Sequence, residues 1–195
     1  MKKLLGIVVL GFFLIFPSQA DDIRDFQIEG MTIGDSLLDY MSENKINNSK
    51  RNYLKNKKYY VVYTTDSLET YVSVDIYLKT GDKSYKIRTL VGVLHPGKKN
   101  ECLSKKKEIE NELDKIFLNS KKKTEDDVSH LFDKTGKSKQ YQTGYFLGKD
   151  MNDDHIRVEC SFFTKKMKKK HKFTDTLNVV AMTAEISNWI AAGYK

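Results

Sequence analysis

From Tyr71 to Val93 the chain alternates apolar and polar residues in two runs on either side of a single glycine turn. Val72, Val74, Ile76 and Leu78 interleave with Tyr71, Ser73, Asp75 and Tyr77, the period-2 signature of a strand with one buried face. Thr80-Gly81-Asp82-Lys83 is a turn, because Gly81 can take the positive φ that tight hairpins demand. Ser84 to Val93 alternates again, placing Tyr85, Ile87, Thr89, Val91 and Val93 on one face. A register in which Leu78 faces Tyr85, Ile76 faces Ile87 and Val72 faces Val91 also sets Asp75 opposite Arg88, a favourable cross-strand ion pair. Lys58–Thr64 supplies a neighbouring strand, so the pattern predicts a three-stranded antiparallel meander.

The remaining segments arrange themselves around that sheet. Phe26–Gly30 reads as a short strand, and Gly34-Asp35 opens a helix with Asp35 as N-cap. Asn44 to Asn56 is polar and reads as a loop. A longer helix runs from an Asn100 cap to about Leu118, with Cys102, Leu103, Ile109, Leu113, Ile116 and Phe117 on one face. Residues 120–139 are charged and largely unpatterned, a mobile loop on this reading. Strands follow at Gln140–Leu147, His155–Phe163 and Leu177–Met182, and Thr183 caps a closing helix carrying Ile186, Trp189 and Ile190. Local antiparallel runs of strands argue for an α+β domain rather than a parallel α/β sheet. The expected architecture is one antiparallel sheet (a meander near 58–93 plus strands near 140–163 and 177–182) with two or three helices.

The first 20 residues read as an address. Lys2 and Lys3 precede an unbroken apolar run, Leu4–Phe16, and Pro17-Ser18-Gln19-Ala20 ends it with small residues. That is the form of a secretory signal peptide cleaved after Ala20, and the run is shorter than the roughly 20 apolar residues a spanning helix needs. The expectation is a periplasmic or secreted single domain over 21–195, with no transmembrane anchor after processing. Export makes a Cys102–Cys160 disulfide the natural pairing of the two cysteines. It closes a loop of about 59 residues, worth on the order of 4 kcal/mol in the chain-entropy model.

The net charge of +8 falls to +6 without the leader, 32 basic residues against 26 acidic. Only Arg24, Arg51, Arg88 and Arg157 are arginine. Specific phosphate recognition favours the bidentate guanidinium, whereas lysine is a mobile point charge, so the bias reads mainly as a solubilising surface. No nucleic-acid fold signature is present, and nucleic acid is not an expected partner.

Four groups of residues invite a chemical reading. Gly34-Asp35-Ser36-Leu37 matches the nucleophile block of the GDSL (SGNH) hydrolases, and Asp127-Val128-Ser129-His130 matches their Asp-x-x-His block. Ser36, Asp127 and His130 would then be a triad for ester cleavage. Against it, the Gly-x-Asn-Asp segment that supplies oxyanion donors is absent, and a Gly-Asp-Ser sequence at a helix start is explained by capping alone. Lys165–Lys172, flanked by Phe162, Phe163 and Phe173, is a basic loop that could hold an anionic surface, with Lys168, Lys169 and Lys170 at its centre. Lys105-Lys106-Lys107 is the exposed side of a helix. Asp153-Asp154-His155 is carboxylate-rich but lacks the spacing of a calcium loop and reads as a turn, so no metal or other cofactor is expected. Tyr71 and Tyr77, beside Asp75 and Arg88 on the sheet face opposite the valines, form a strip that an envelope protein partner could use.

The leader, Asp25–Met31 running into Ile33–Tyr40, Glu101-Cys102 opening a lysine-rich helix, Thr135-Gly136-Lys137-Ser138, and the close from Leu177 through Trp189 together resemble an uncharacterised family of small exported bacterial proteins. The resemblance implies an envelope protein with no assigned activity and transfers no catalytic residues. More distantly, a Gly-Met-x-x-Gly opening before a helix and antiparallel strands is similar to the small outer-membrane-assembly lipoproteins and β-lactamase-inhibitor-like folds. No lipid-attachment cysteine lies near the cleavage point. The functional expectation is a non-enzymatic binding domain of the cell envelope, with an esterase using Ser36 and an anionic-surface binder using Lys165–Lys172 as alternatives.

Overall fold

The computed structural model describes residues 22–51 and 57–193; the signal peptide expected at residues 1–20 and its expected cleavage point lie outside them. The strands are β1 (Gln27–Ile28), β2 (Met31–Thr32), β3 (Lys50–Arg51), β4 (Tyr59–Thr64), β5 (Ser73–Lys79), β6 (Ile87–Leu94), β7 (Lys121–Ser129), β8 (Lys139–Phe146), β9 (His155–Phe162) and β10 (Thr176–Met182). The helices are α1 (Glu43–Asn48), α2 (Lys99–Ile116), α3 (Lys165–His171) and α4 (Ala184–Ala191), with 3-10 turns at Ile23–Asp25 and Leu37–Asp39. β1 and β2 form a small hairpin. The other strands form one antiparallel sheet in the order β3-β4-β5-β6-β10-β9-β8-β7. The α+β expectation holds.

Alternation decides which side chains meet which layer. On one face, Tyr60 and Val62 of β4, Val74, Ile76 and Leu78 of β5, Val179 and Ala181 of β10, and Ile156 and Val158 of β9 join the main core. Helix α2 packs on β9 and β10, while Ile23, Ile28, Met31, Ile33, Leu37 and Ile46 from the N-terminal segment close the same core. On the other face, α4 lays Ile186 and Trp189 against Tyr59, Val180 and Met182. Thr183 caps α4 as expected, its side chain accepting from the Ile186 amide. Cys102 on α2 is bonded to Cys160 on β9, both fully buried, so the staple joins helix to sheet inside the main core.

The β5–β6 hairpin departs from its expected register. Ile76 faces Leu90, Asp75 faces Val91 and Val74 faces Gly92, and a bulge at Arg88 shifts the pairing between Tyr77 and Leu78. The bulge turns Leu90 and Gly92 toward the core and puts Thr89, Val91 and Val93 on the other face, reversing the expected assignment. Asp75 therefore does not meet Arg88. Arg88 pairs instead with Glu185 at 3.1 Å and Asp82 at 3.7 Å. Val72 lies before β5 and is half exposed.

Other differences have local causes. Ser36, not Asp35, caps the Leu37–Asp39 turn, while the Asp35 carboxylate accepts from the Thr32 amide. Helix α1 occupies Glu43–Asn48, overlapping the start of the stretch from Asn44 expected to be loop, with Ser42 as its cap and Ile46 buried. Helix α2 starts after Lys98 with no side-chain cap. Its inward face includes Lys106, which sits buried against Glu110 and the Thr143 hydroxyl rather than in solvent. Burial alone would raise the Glu110 carboxyl, but the bonds from Lys106 and Thr143 outweigh it and the carboxyl is lowered. Residues 121–129, expected to be loop, are edge strand β7, paired along β8. Its lysines, its acids and a bulge between Glu125 and Val128 blunt an edge that would otherwise invite pairing with another chain.

Candidate functional site

The β7–β8 loop, the β9–α3 corner and α3 itself meet at one end of the sheet. The loop reverses through His130-Leu131-Phe132-Asp133-Lys134-Thr135-Gly136-Lys137-Ser138. Asp133 organises it. One carboxylate oxygen accepts from the Thr135 amide and hydroxyl at 3.0 and 2.6 Å, the other from the Ser138 amide and hydroxyl at 2.9 and 2.6 Å. Those bonds, the Ser138 and Thr135 hydroxyls foremost, hold the carboxyl far below the usual carboxylate range. Gly136 takes φ +69°, which the reversal requires. Ser138 is fully buried and its hydroxyl oxygen also accepts from the Thr164 amide at 3.1 Å, tying the loop to the residue that caps α3. The Thr135-Gly136-Lys137-Ser138 run therefore serves the turn, with Ser138 bonded inside the loop.

The rigid loop carries two large apolar side chains into solvent. Leu131 is 80% exposed and Phe132 58%. Phe132 lies 6.2 Å from Phe173, and His130 packs edge-on to Phe163 at 4.7 Å. Burial lowers the His130 pKa, and its Nδ1 accepts from the Phe132 amide at 3.3 Å, consistent with a neutral ring. Lys165–Lys172, expected to be a loop, is mostly helix α3, with Met167 turned inward and Lys172 ending it in the left-handed region. Lys168 pairs with Asp175 at 2.6 Å, whereas Lys165, Lys166, Lys169, Lys170 and Lys172 are exposed. Segments 130–139 and 164–175 hold nine lysines against two aspartates, and both aspartates are already engaged.

The remaining expected site residues lie elsewhere. Tyr71 sits on the core side, not on the open face. Its ring covers Gly92, where a Cβ would come within 2.5 Å of it, and burial pushes its hydroxyl pKa up. Tyr77 is half-buried opposite Thr89 and Val61. Asp75 faces Tyr63 and Val91; burial raises its carboxyl against the opposing pull of Arg51. The tyrosine strip with an Asp75–Arg88 pair is not formed. The triad is not assembled either. The Ser36 hydroxyl donates to the Ser84 carbonyl at 2.8 Å and accepts from the Leu38 amide, beside the start of β6. His130 follows β7, at the opposite end of the strands and four sheet positions from β6, about 19 Å across the sheet. Asp127 accepts from the Tyr141 hydroxyl at 2.7 Å. Asp153 and Asp154 are turn and cap residues, accepting from the Asp150 and Ala184 amides, and His155 is buried against Phe146. Among the described residues no grouping of His, Cys, Asp and Glu could hold a metal ion.

A second polar feature lies on the open part of the α4 face. Glu159, nearly buried, accepts from Gln140 and Asn178 at 3.1 Å each and lies 2.9 Å from Arg157 Nε. Beside it a cleft of about 340 Å³ is bordered by Glu125, Gln142, His155 and Arg157. These polar groups are occupied with one another.

Leu131 and Phe132 were hidden in a segment read as charged loop. The signal that marks them is an apolar pair followed at once by Asp-x-Thr-Gly-x-Ser, a sequence able to build its own turn. Comparison with protein-family models, with curated proteins and with solved structures finds no match to this chain. No helix among the described residues is long and apolar enough to cross a membrane.

Proposed function

We propose that this chain is an exported, non-enzymatic domain of the cell envelope that binds an anionic partner through the β7–β8 loop and α3. The observation that carries the reading is a preorganised surface. A loop held by Asp133 and a helix held by Thr164 share Ser138, and together they present Leu131, Phe132 and a group of lysines that outnumbers its acids, Lys168 and Lys139 being ion-paired with Asp175 and Asp127. Apolar side chains held out into solvent on a rigid loop are a feature of interaction sites. The leader read at residues 1–20 and the buried disulfide support a periplasmic or secreted location. Ser36 caps the Leu37–Asp39 turn and lies at the opposite end of the strands from His130, which counts against the esterase alternative.

Two measurements test this. N-terminal sequencing of exported protein is expected to begin at Asp21; an intact Met1 on cytosolic material would remove the location. Lys168→Gln, Lys169→Gln and Lys170→Gln combined are expected to weaken salt-sensitive retention on an anionic support by about tenfold or more, as lost surface charge should. Retention that ignores both salt and these lysines would remove the anionic partner.

A further inference from the structure

We infer that the partner of this surface is an anionic lipid bilayer, with Leu131 and Phe132 entering the boundary between headgroups and acyl chains while the lysines lie over the lipid phosphates. The inference rests on reading this end of the sheet as the binding surface and names what it binds. Two features separate a bilayer from a soluble polyanion.

A dissolved anionic polymer offers charge but no apolar phase. Leu131 and Phe132 stand largely exposed on a loop braced by four hydrogen bonds to one carboxylate, with the Phe132 ring leaning on His130 and Phe173. Hydrocarbon beneath a headgroup layer is the environment that would bury them, and their position among lysines matches the layering of such an interface. Charge type points the same way. Every basic side chain in segments 130–139 and 164–175 other than histidine is lysine. Lysine suits a diffuse surface potential made by many lipids, whereas a defined polyanion site favours arginine forks.

The far end of the strands is mixed in charge: Asp150, Asp153 and Asp154 of the β8–β9 loop sit there beside Lys149 and, at the start of β7, Lys121, Lys122 and Lys123. His95 and Lys98, in the β6–α2 loop, flank the end that carries α3, with His95 Nδ1 3.3 Å from the Asp175 carbonyl.

The test uses the processed chain with vesicles of phosphatidylcholine alone, vesicles with about one third phosphatidylglycerol, and a soluble polyanion such as dextran sulfate. Co-sedimentation is expected with the phosphatidylglycerol vesicles and not with phosphatidylcholine. Leu131→Ser with Phe132→Ser is expected to lower vesicle binding by about tenfold or more and leave dextran sulfate binding unchanged. Phe132→Trp adds a readout independent of the serine variant's folding. The native Trp189 is buried on the α4 face and contributes a background measured on the parent chain, so an additional blue shift on anionic vesicles would report insertion at position 132. Vesicle binding indifferent to the serine pair, or emission from Phe132→Trp that does not move, overturns the bilayer. Binding to dextran sulfate without vesicle binding overturns the bilayer and leaves the anionic-partner reading standing. Binding to neither overturns both.

Discussion

The two halves of the large sheet are built on different terms. In the half containing β4, β5 and β6, apolar side chains leave both faces: Val74, Ile76 and Leu78 enter the main core, while Tyr59 and Val91 meet α4 on the other side. In the half containing β7, β8 and β9, the α2 side holds the apolar core, and the reverse face is mostly polar apart from Phe146, which packs on His155. That reverse face carries Glu159, Arg157, Gln140, Gln142 and Glu125, bonded among themselves. The half with one apolar face is also the half that carries the disulfide, through Cys160 on β9. A covalent tie supplies there part of what a second buried layer supplies elsewhere. The lesson is that this chain leaves the surface of one half free for other uses.

That contrast can be broken at graded points. Trp189→Ala empties the clamp of α4 on the first half, where the indole lies 4.8 Å from the Tyr59 ring; a loss of about 3–5 kcal/mol is expected from urea unfolding. A loss below about 1 kcal/mol would mean that α4 adds little to that half. Cys102→Ser with Cys160→Ser should cost up to about 4 kcal/mol, with amide exchange in β8 and β9 rising more than in β5. Uniform loosening of both halves would contradict the division drawn above. Glu159→Gln should cost about 1–2 kcal/mol, because Arg157 loses its counter-charge and only one of Gln140 and Asn178 keeps an acceptor, the other then facing an amide NH2. The smallest effect concerns pH. Burial depresses the His155 pKa in the folded chain, so the unfolded chain takes up a proton first as acid is added. Stability is then full above about pH 6.5 and declines as pH falls toward the depressed value. His155→Gln should flatten that decline in urea midpoints taken between about pH 7.5 and 5; an unaltered slope would place the proton uptake elsewhere, His130 being the other buried ring with the same sign.

Legibility followed apolar alternation. Strands β8 and β9 were readable because near period-2 runs end at an Asp/Asn-rich turn, and β10 because a mostly apolar stretch ends at the Thr183 cap. Strand β7 was not, because Lys121–Ser129 is exposed along almost its whole length and has no buried face to print a pattern. The bulge at Arg88 was equally silent. Residues 84–93 alternate well enough in either phase, and only contact with β5 and β10 selects the one that buries Leu90. Lys106 and Glu110 look like surface residues four apart on a helix, yet Thr143 and the sheet cover them. As for the site, the lysine run was visible as composition, whereas its apolar companions required the fold to bring the two segments together.

The position of β10 has a consequence for how the molecule comes into being. It lies between β6 and β9, yet it follows both in the chain. Until it arrives, each meander ends in an open, apolar row of amides and carbonyls, the kind of border on which neighbouring chains join. Wedging a strand between two preformed ribbons is a long-range step and therefore a slow one. A chain emerging residue by residue thus spends its most vulnerable interval just before Thr176 appears, and a helper that shields those borders would matter more than one that speeds either ribbon.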